Sequence, residues 1–60
     1  MMDFQTMYFI VERIDGDYAY LKRTDEEQAE PRLVARALLP DEIMEGSKIK
    51  YEMLRYEIIR

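Results

Sequence analysis

The chain contains no cysteine and no histidine. Without cysteine there is no disulfide, no thiolate nucleophile, no iron–sulfur cluster and no zinc finger. Without histidine there is neither an imidazole base nor an imidazole metal ligand. Long apolar runs are also missing. The longest, Met7 to Val11, falls far short of the ~20 residues that cross a bilayer, so no membrane partner is expected. The N-terminal Met1-Met2-Asp3 lacks the positively charged region and apolar stretch of a secretory signal. With no cysteine to oxidise, a cytoplasmic location is the expectation. A basic surplus is absent too: 9 Lys and Arg stand against 13 Asp and Glu, for a formal charge of −4. A chain that neutralises phosphates usually shows the opposite balance, which argues against nucleic acid as the partner.

What is present describes one small globular domain over residues 1–60, with 1–5 expected to be flexible. Hydrophobic residues make up 48% and charged residues 37% of the 60, a folded and not a disordered balance. A chain of this length buries only ~60% of the surface it exposes when unfolded, so nearly every apolar side chain is needed in the core. Little remains to line a catalytic pocket. No enzymatic activity and no cofactor are expected.

Gly16, Gly46, Pro31 and Pro40 cut the chain into strand-sized pieces. Aromatic and β-branched residues fill the first, which ends at the hairpin signal Asp15-Gly16. A two-residue Asp15-Gly16 turn would oppose Val11 to Tyr20 and Phe9 to Lys22, mixing apolar and charged groups on each face. A three-residue loop with Gly16 as its left-handed residue would set Val11 against Ala19, Phe9 against Leu21 and Arg13 against Asp17. The second arrangement gathers the apolar groups on one face with an ion pair at its rim, and is preferred because a one-residue slip inverts the faces. The opposite face then carries Tyr8, Ile10, Glu12, Tyr18, Tyr20 and Lys22. A half-solvated sheet normally turns polar groups outward; three tyrosines and an isoleucine depart from that.

The acidic stretch from Thr24 to Glu30 reads as a loop, and Pro31 suits the start of a short strand. Ala37-Leu38-Leu39-Pro40 suggests one tight helical turn plugging the core. After Gly46, Ile49, Tyr51 and Met53 alternate with charged residues, then the phase flips to Leu54, Tyr56 and Ile58. A strand, a bend and a second strand explain this better than a helix, because no capping residue precedes Tyr51 and two β-branched residues close the segment. The expected fold is all-β: a four- or five-stranded antiparallel barrel or strongly curved sheet, SH3-like or OB-like. Strands are expected over 6–13, 17–23, 32–36, 47–53 and 54–59, with a helical turn at 37–40. The bend near Met53 would let one long strand serve both walls. The expected core is Phe9, Val11, Ala19, Leu21, Leu33, Leu38, Leu39, Ile49 and one face of the last strand pair, with Met44 and Met53 filling gaps.

The run Ile10-Val11-Glu12-Arg13-Ile14-Asp15-Gly16-Asp17-Tyr18-Ala19-Tyr20-Leu21, with Arg36-Ala37-Leu38-Leu39-Pro40 and Glu45-Gly46 later, resembles domain-of-unknown-function family 3006 of small bacterial proteins. The resemblance covers residues 10–49. Ser47 stands where the family usually carries Asp, and 48–60 replaces its acidic and basic tail. The resemblance implies a small β-rich domain and no particular activity.

Thirteen carboxylates raise the question of a metal or acid–base site. Glu12, Asp15 and Asp17, and Asp25, Glu26 and Glu27, lack the spacing of a calcium loop and read as solvated turn residues. Tyr8, Ile10, Tyr18, Tyr20 and Lys22 are the candidate binding residues. They suit an interaction module for a protein partner or a second copy of the chain. The alternative is weak stacking of single-stranded nucleic acid on the tyrosines. A purely structural role would have the rings cover a second part of the core.

Overall fold

The computed structural model describes residues 6–59; the expectation of flexibility at 1–5 lies outside them. The chain is all-β. Strands β1 (Met7–Asp15), β2 (Tyr18–Arg23), β3 (Arg32–Ala35), β4 (Lys48–Glu52) and β5 (Arg55–Ile58) form one antiparallel sheet in the order β3-β2-β1-β4-β5. The sheet curls into a half-barrel. A 3-10 turn at Arg36–Leu38 follows β3. From there the chain crosses the concave side, and the backbone of Gly46 and Ser47 bonds Val11. The core is Phe9, Val11, Ala19, Leu21, Val34, Leu39, Ile43 and Ile49, with Met7, Ile14, Tyr51, Tyr56 and Ile58 packed against it.

The first reversal differs from the expected bulged turn. Asp15 pairs with Tyr18, so Gly16 and Asp17 are the turn. Gly16 has φ of +60° and Asp17 is not among the residues of positive φ, the pattern of a type II′ hairpin turn. A two-residue turn pairs odd-numbered with even-numbered residues, as in Arg13 with Tyr20 and Ile14 with Ala19. The bulge sits instead at Glu12, between Val11 and Arg13, beyond which Val11 pairs with Leu21, Ile10 with Lys22 and Phe9 with Arg23. Phe9, Val11, Ala19 and Leu21 do share the buried face; the pairs Val11–Ala19, Phe9–Leu21 and Arg13–Asp17 do not form. The bulge has a clear effect on the end of β1. It turns Ile14 inward against the core and Arg13 outward.

The second hairpin also corrects the sequence reading. The chain does not bend into one long strand; it reverses fully at Met53 and Leu54, pairing Glu52 with Arg55, Tyr51 with Tyr56 and Ile49 with Ile58. The phase flip is what a two-residue turn without a bulge produces. Met53 (φ 54°) and Leu54 (φ 64°) both occupy left-handed backbone, the requirement of a type I′ turn usually met by Asn-Gly.

Four core assignments change. Leu33 pairs with Tyr20 on the convex side and is 55% exposed; Val34, facing Ala19, is buried in its place. Leu38 is 66% exposed because the 3-10 turn begins one residue earlier than expected, at Arg36, and directs only Leu39 inward. Ile43 supplies the second plug. Met44 and Met53 are exposed turn residues and fill no core gap.

Candidate functional site

Among the described residues, the curl leaves one face of the sheet without a second layer. Across it run Leu33 and Ala35 on β3, Tyr18, Tyr20 and Lys22 on β2, Tyr8, Ile10 and Arg13 on β1, and Lys48 and Lys50 on β4. Four of the five candidate binding residues, three tyrosines and Ile10, form the apolar part of this convex face. Tyr8 and Tyr18 are 43% and 50% exposed, while Tyr20 and Ile10 are half-buried. Tyr20 is partly covered by the Arg13 guanidinium, whose carbon lies 4.5 Å from the ring centroid. Arg13 also approaches Asp15 at 3.9 Å, both largely exposed, a contact of small energetic weight.

Lys22 stands apart from the other four. Its ammonium donates to the backbone carbonyls of Glu27 at 3.0 Å and Ala29 at 2.9 Å. Loop carbonyls left over after the acidic turn thus find a charged donor, and the ammonium serves as an anchor for the loop between β2 and β3. Arg23 is engaged as well: its guanidinium makes a two-pronged contact with the Asp25 carboxylate at 3.1 and 3.0 Å. That hydrogen bonding holds Asp25 below the usual carboxylate range and raises Arg23. On β4, Lys50 pairs with Glu52 at 3.3 Å and Glu57 at 4.0 Å. Glu52 accepts from the Thr6 hydroxyl at 3.0 Å, and this bond, with Lys50 second, lowers its pKa.

Leu33, expected in the core, and Lys48, which the sequence offered only as a cation that could widen the tyrosine face, lie outside the five candidate binding residues. Leu33 extends the apolar stripe to the sheet edge beside Tyr20; its alternation with Val34 was visible, but not which of the two turns inward. Lys48 joins Tyr8, Phe9, Thr24 and Ile59 around a surface cavity of about 270 Å³. No sequence signal marks that cavity, because its walls come from four separated segments. Among the described residues, no three carboxylates converge as a cation site would need, and no helix is long and apolar enough to cross a membrane. Comparison of the chain with protein-family models, curated proteins and solved structures finds no match.

Proposed function

We propose that this domain is a non-enzymatic interaction module whose convex face docks a partner protein through Tyr8, Ile10, Tyr18 and Tyr20, with Leu33 extending the contact. The observation that carries this reading is the exposure of Tyr18 and Leu33 near one another, and of Tyr8 further along, on one sheet face where solvated polar groups would be the rule. Tyrosine suits such a surface, since it offers large contact area with few rotatable bonds and a polar end for the rim. Stacking of single-stranded nucleic acid on the same rings has less support. The nearby cations Lys22 and Arg23 already serve loop carbonyls and Asp25, and the chain carries a charge of −4, which opposes a phosphate backbone. Kinship with family 3006 belongs to the proposal and adds no chemistry to it. Replacing Tyr18 and Tyr20 together by Ser is expected to abolish partner capture while the fold persists; unchanged capture and an unchanged sedimentation coefficient would refute the reading.

A further inference from the structure

The cations on the three central strands of the convex face are almost all committed. Arg13 covers Tyr20, Lys22 holds the loop, and Lys50 is shared between Glu52 and Glu57. The side chain of Lys48, exposed on β4 opposite Ile10, has no ion-pair or hydrogen-bond partner for its ammonium among the described residues. It borders the cavity whose other walls are Tyr8, Phe9, Thr24 and Ile59. These walls are mostly apolar and well anchored. The Thr24 N–H donates to the Tyr8 carbonyl at 3.0 Å, and the Ile59 N–H to the Lys48 carbonyl at 2.9 Å. At about 270 Å³ the space is below the ~300–1,000 Å³ of cofactor and drug-sized sites. It suits one large apolar side chain. An unpartnered ammonium at the rim of an apolar cavity asks for a negative charge carried next to an apolar group, and those two groups lie closest together in the last residue of a polypeptide.

We infer that the Tyr8–Lys48 cavity binds the C-terminal residue of the partner, its apolar side chain against Tyr8 and Ile59 and its α-carboxylate on the Lys48 ammonium. This rests on the interaction-module reading and names the chemistry that the same face selects. The chain's own net negative charge makes the local cation the discriminating element. A carboxylate brought to this protein finds repulsion in general and attraction at Lys48.

The test uses the full chain labelled with ¹⁵N and three probes: the pentapeptide Gly-Ser-Gly-Ser-Leu with a free carboxylate, the same peptide amidated, and 4-methylpentanoate. Saturable shifts of the Tyr8, Thr24, Lys48 and Ile59 amides with the free-acid peptide are expected. Amidation or Lys48→Met should weaken binding about ten-fold or more, in keeping with a charge-assisted hydrogen bond, and Lys48→Arg should restore most of it. Equal affinity for acid and amide, or no loss in Lys48→Met, would overturn the inference. Tight binding of 4-methylpentanoate equal to that of the peptide would overturn it in favour of a small carboxylic acid. The Tyr18→Ser, Tyr20→Ser variant separates the two levels. Partner capture lost there, with the peptide inert, sinks the terminal-carboxylate inference alone; capture retained there sinks the interaction face.

Discussion

The guanidinium of Arg32 on β3 donates to the hydroxyl oxygen of Tyr56 on β5 at 3.4 Å, joining the two edge strands of a sheet whose order otherwise leaves them unconnected. The same guanidinium lies 5.3 Å from the Phe9 ring centroid, and Tyr56 packs at 6.4 Å from Phe9 and 4.6 Å from Tyr51. One arginine therefore spans the open seam of the half-barrel and covers its largest core ring. The contact is exposed, so its weight is modest. Arg32→Ala is expected to destabilise by about 1 kcal/mol, lowering the thermal midpoint by ~4–8 °C in a domain of this size. A double-mutant cycle with Tyr56→Phe should show coupling between the two positions; additive losses would show that the seam is not held this way.

The two hairpin turns respond in opposite directions. Gly16 has φ of +60° with nothing within 4 Å of an added Cβ, so Gly16→Ala meets no clash and loses only backbone preference, about 1–2 kcal/mol. Met53 and Leu54 already bear that penalty at φ of 54° and 64°, and both are exposed. Replacing them by Asn and Gly should stabilise the chain by about 1–2 kcal/mol. Urea titration of the two variants checks the signs.

Glu12 is the surplus residue of the β1 bulge. Its deletion makes the ladder continuous while Phe9, Val11 and Ile14 keep facing the core, so the fold should survive with reduced curl. Deleting Ile10 instead turns Phe9 outward, at a loss of ~3–5 kcal/mol for a buried aromatic, enough to unfold most chains this small. Amide dispersion in a proton–nitrogen spectrum distinguishes the two outcomes.

Glu52 ties β4 to Thr6 ahead of β1. Its folded pKa is lowered, first by the Thr6 hydroxyl and then by Lys50. A depressed carboxylate contributes stability that is present above its unfolded pKa and lost as pH falls through the folded one. In Thr6→Val, the Glu52 carboxyl resonance should titrate at higher pH than in the parent, and the protein should lose less stability on acidification. An unshifted titration would assign the effect to Lys50.

Burial separates neighbours that look alike in sequence. Val34→Thr and Ile49→Ala place a hydroxyl or a void in the core, and Ile49→Ala should cost ~2–5 kcal/mol. Leu38→Ser, at a position 66% exposed, should stay within about 0.5 kcal/mol of the parent. Denaturant midpoints measured side by side test the assignment.

The strands, their approximate bounds and the grouping of Phe9, Val11, Ala19 and Leu21 on one face were legible in the sequence. Period-two alternation and glycine punctuation are local properties of the backbone. The tyrosine-bearing face follows from the same alternation. Register was not legible: a bulge at Glu12 and a bulge at Gly16 yield the same facing for those four residues, so the pattern of apolar groups cannot distinguish them. Nor was the reversal at Met53-Leu54, whose residue types oppose the left-handed backbone they adopt; the pairing of Tyr51 with Tyr56 and Ile49 with Ile58 imposes it. Which of Leu33 and Val34 turns inward, and that Arg32 closes the seam, depend on where β3 lands beside β2. The sequence by itself determined a small acidic all-β domain with an unusually aromatic second face. Only the tertiary structure decided which cations are already engaged and that the Lys48 ammonium, without a partner among the described residues, borders a cavity, because ion pairs and cavities are made by residues that the chain brings together from far apart.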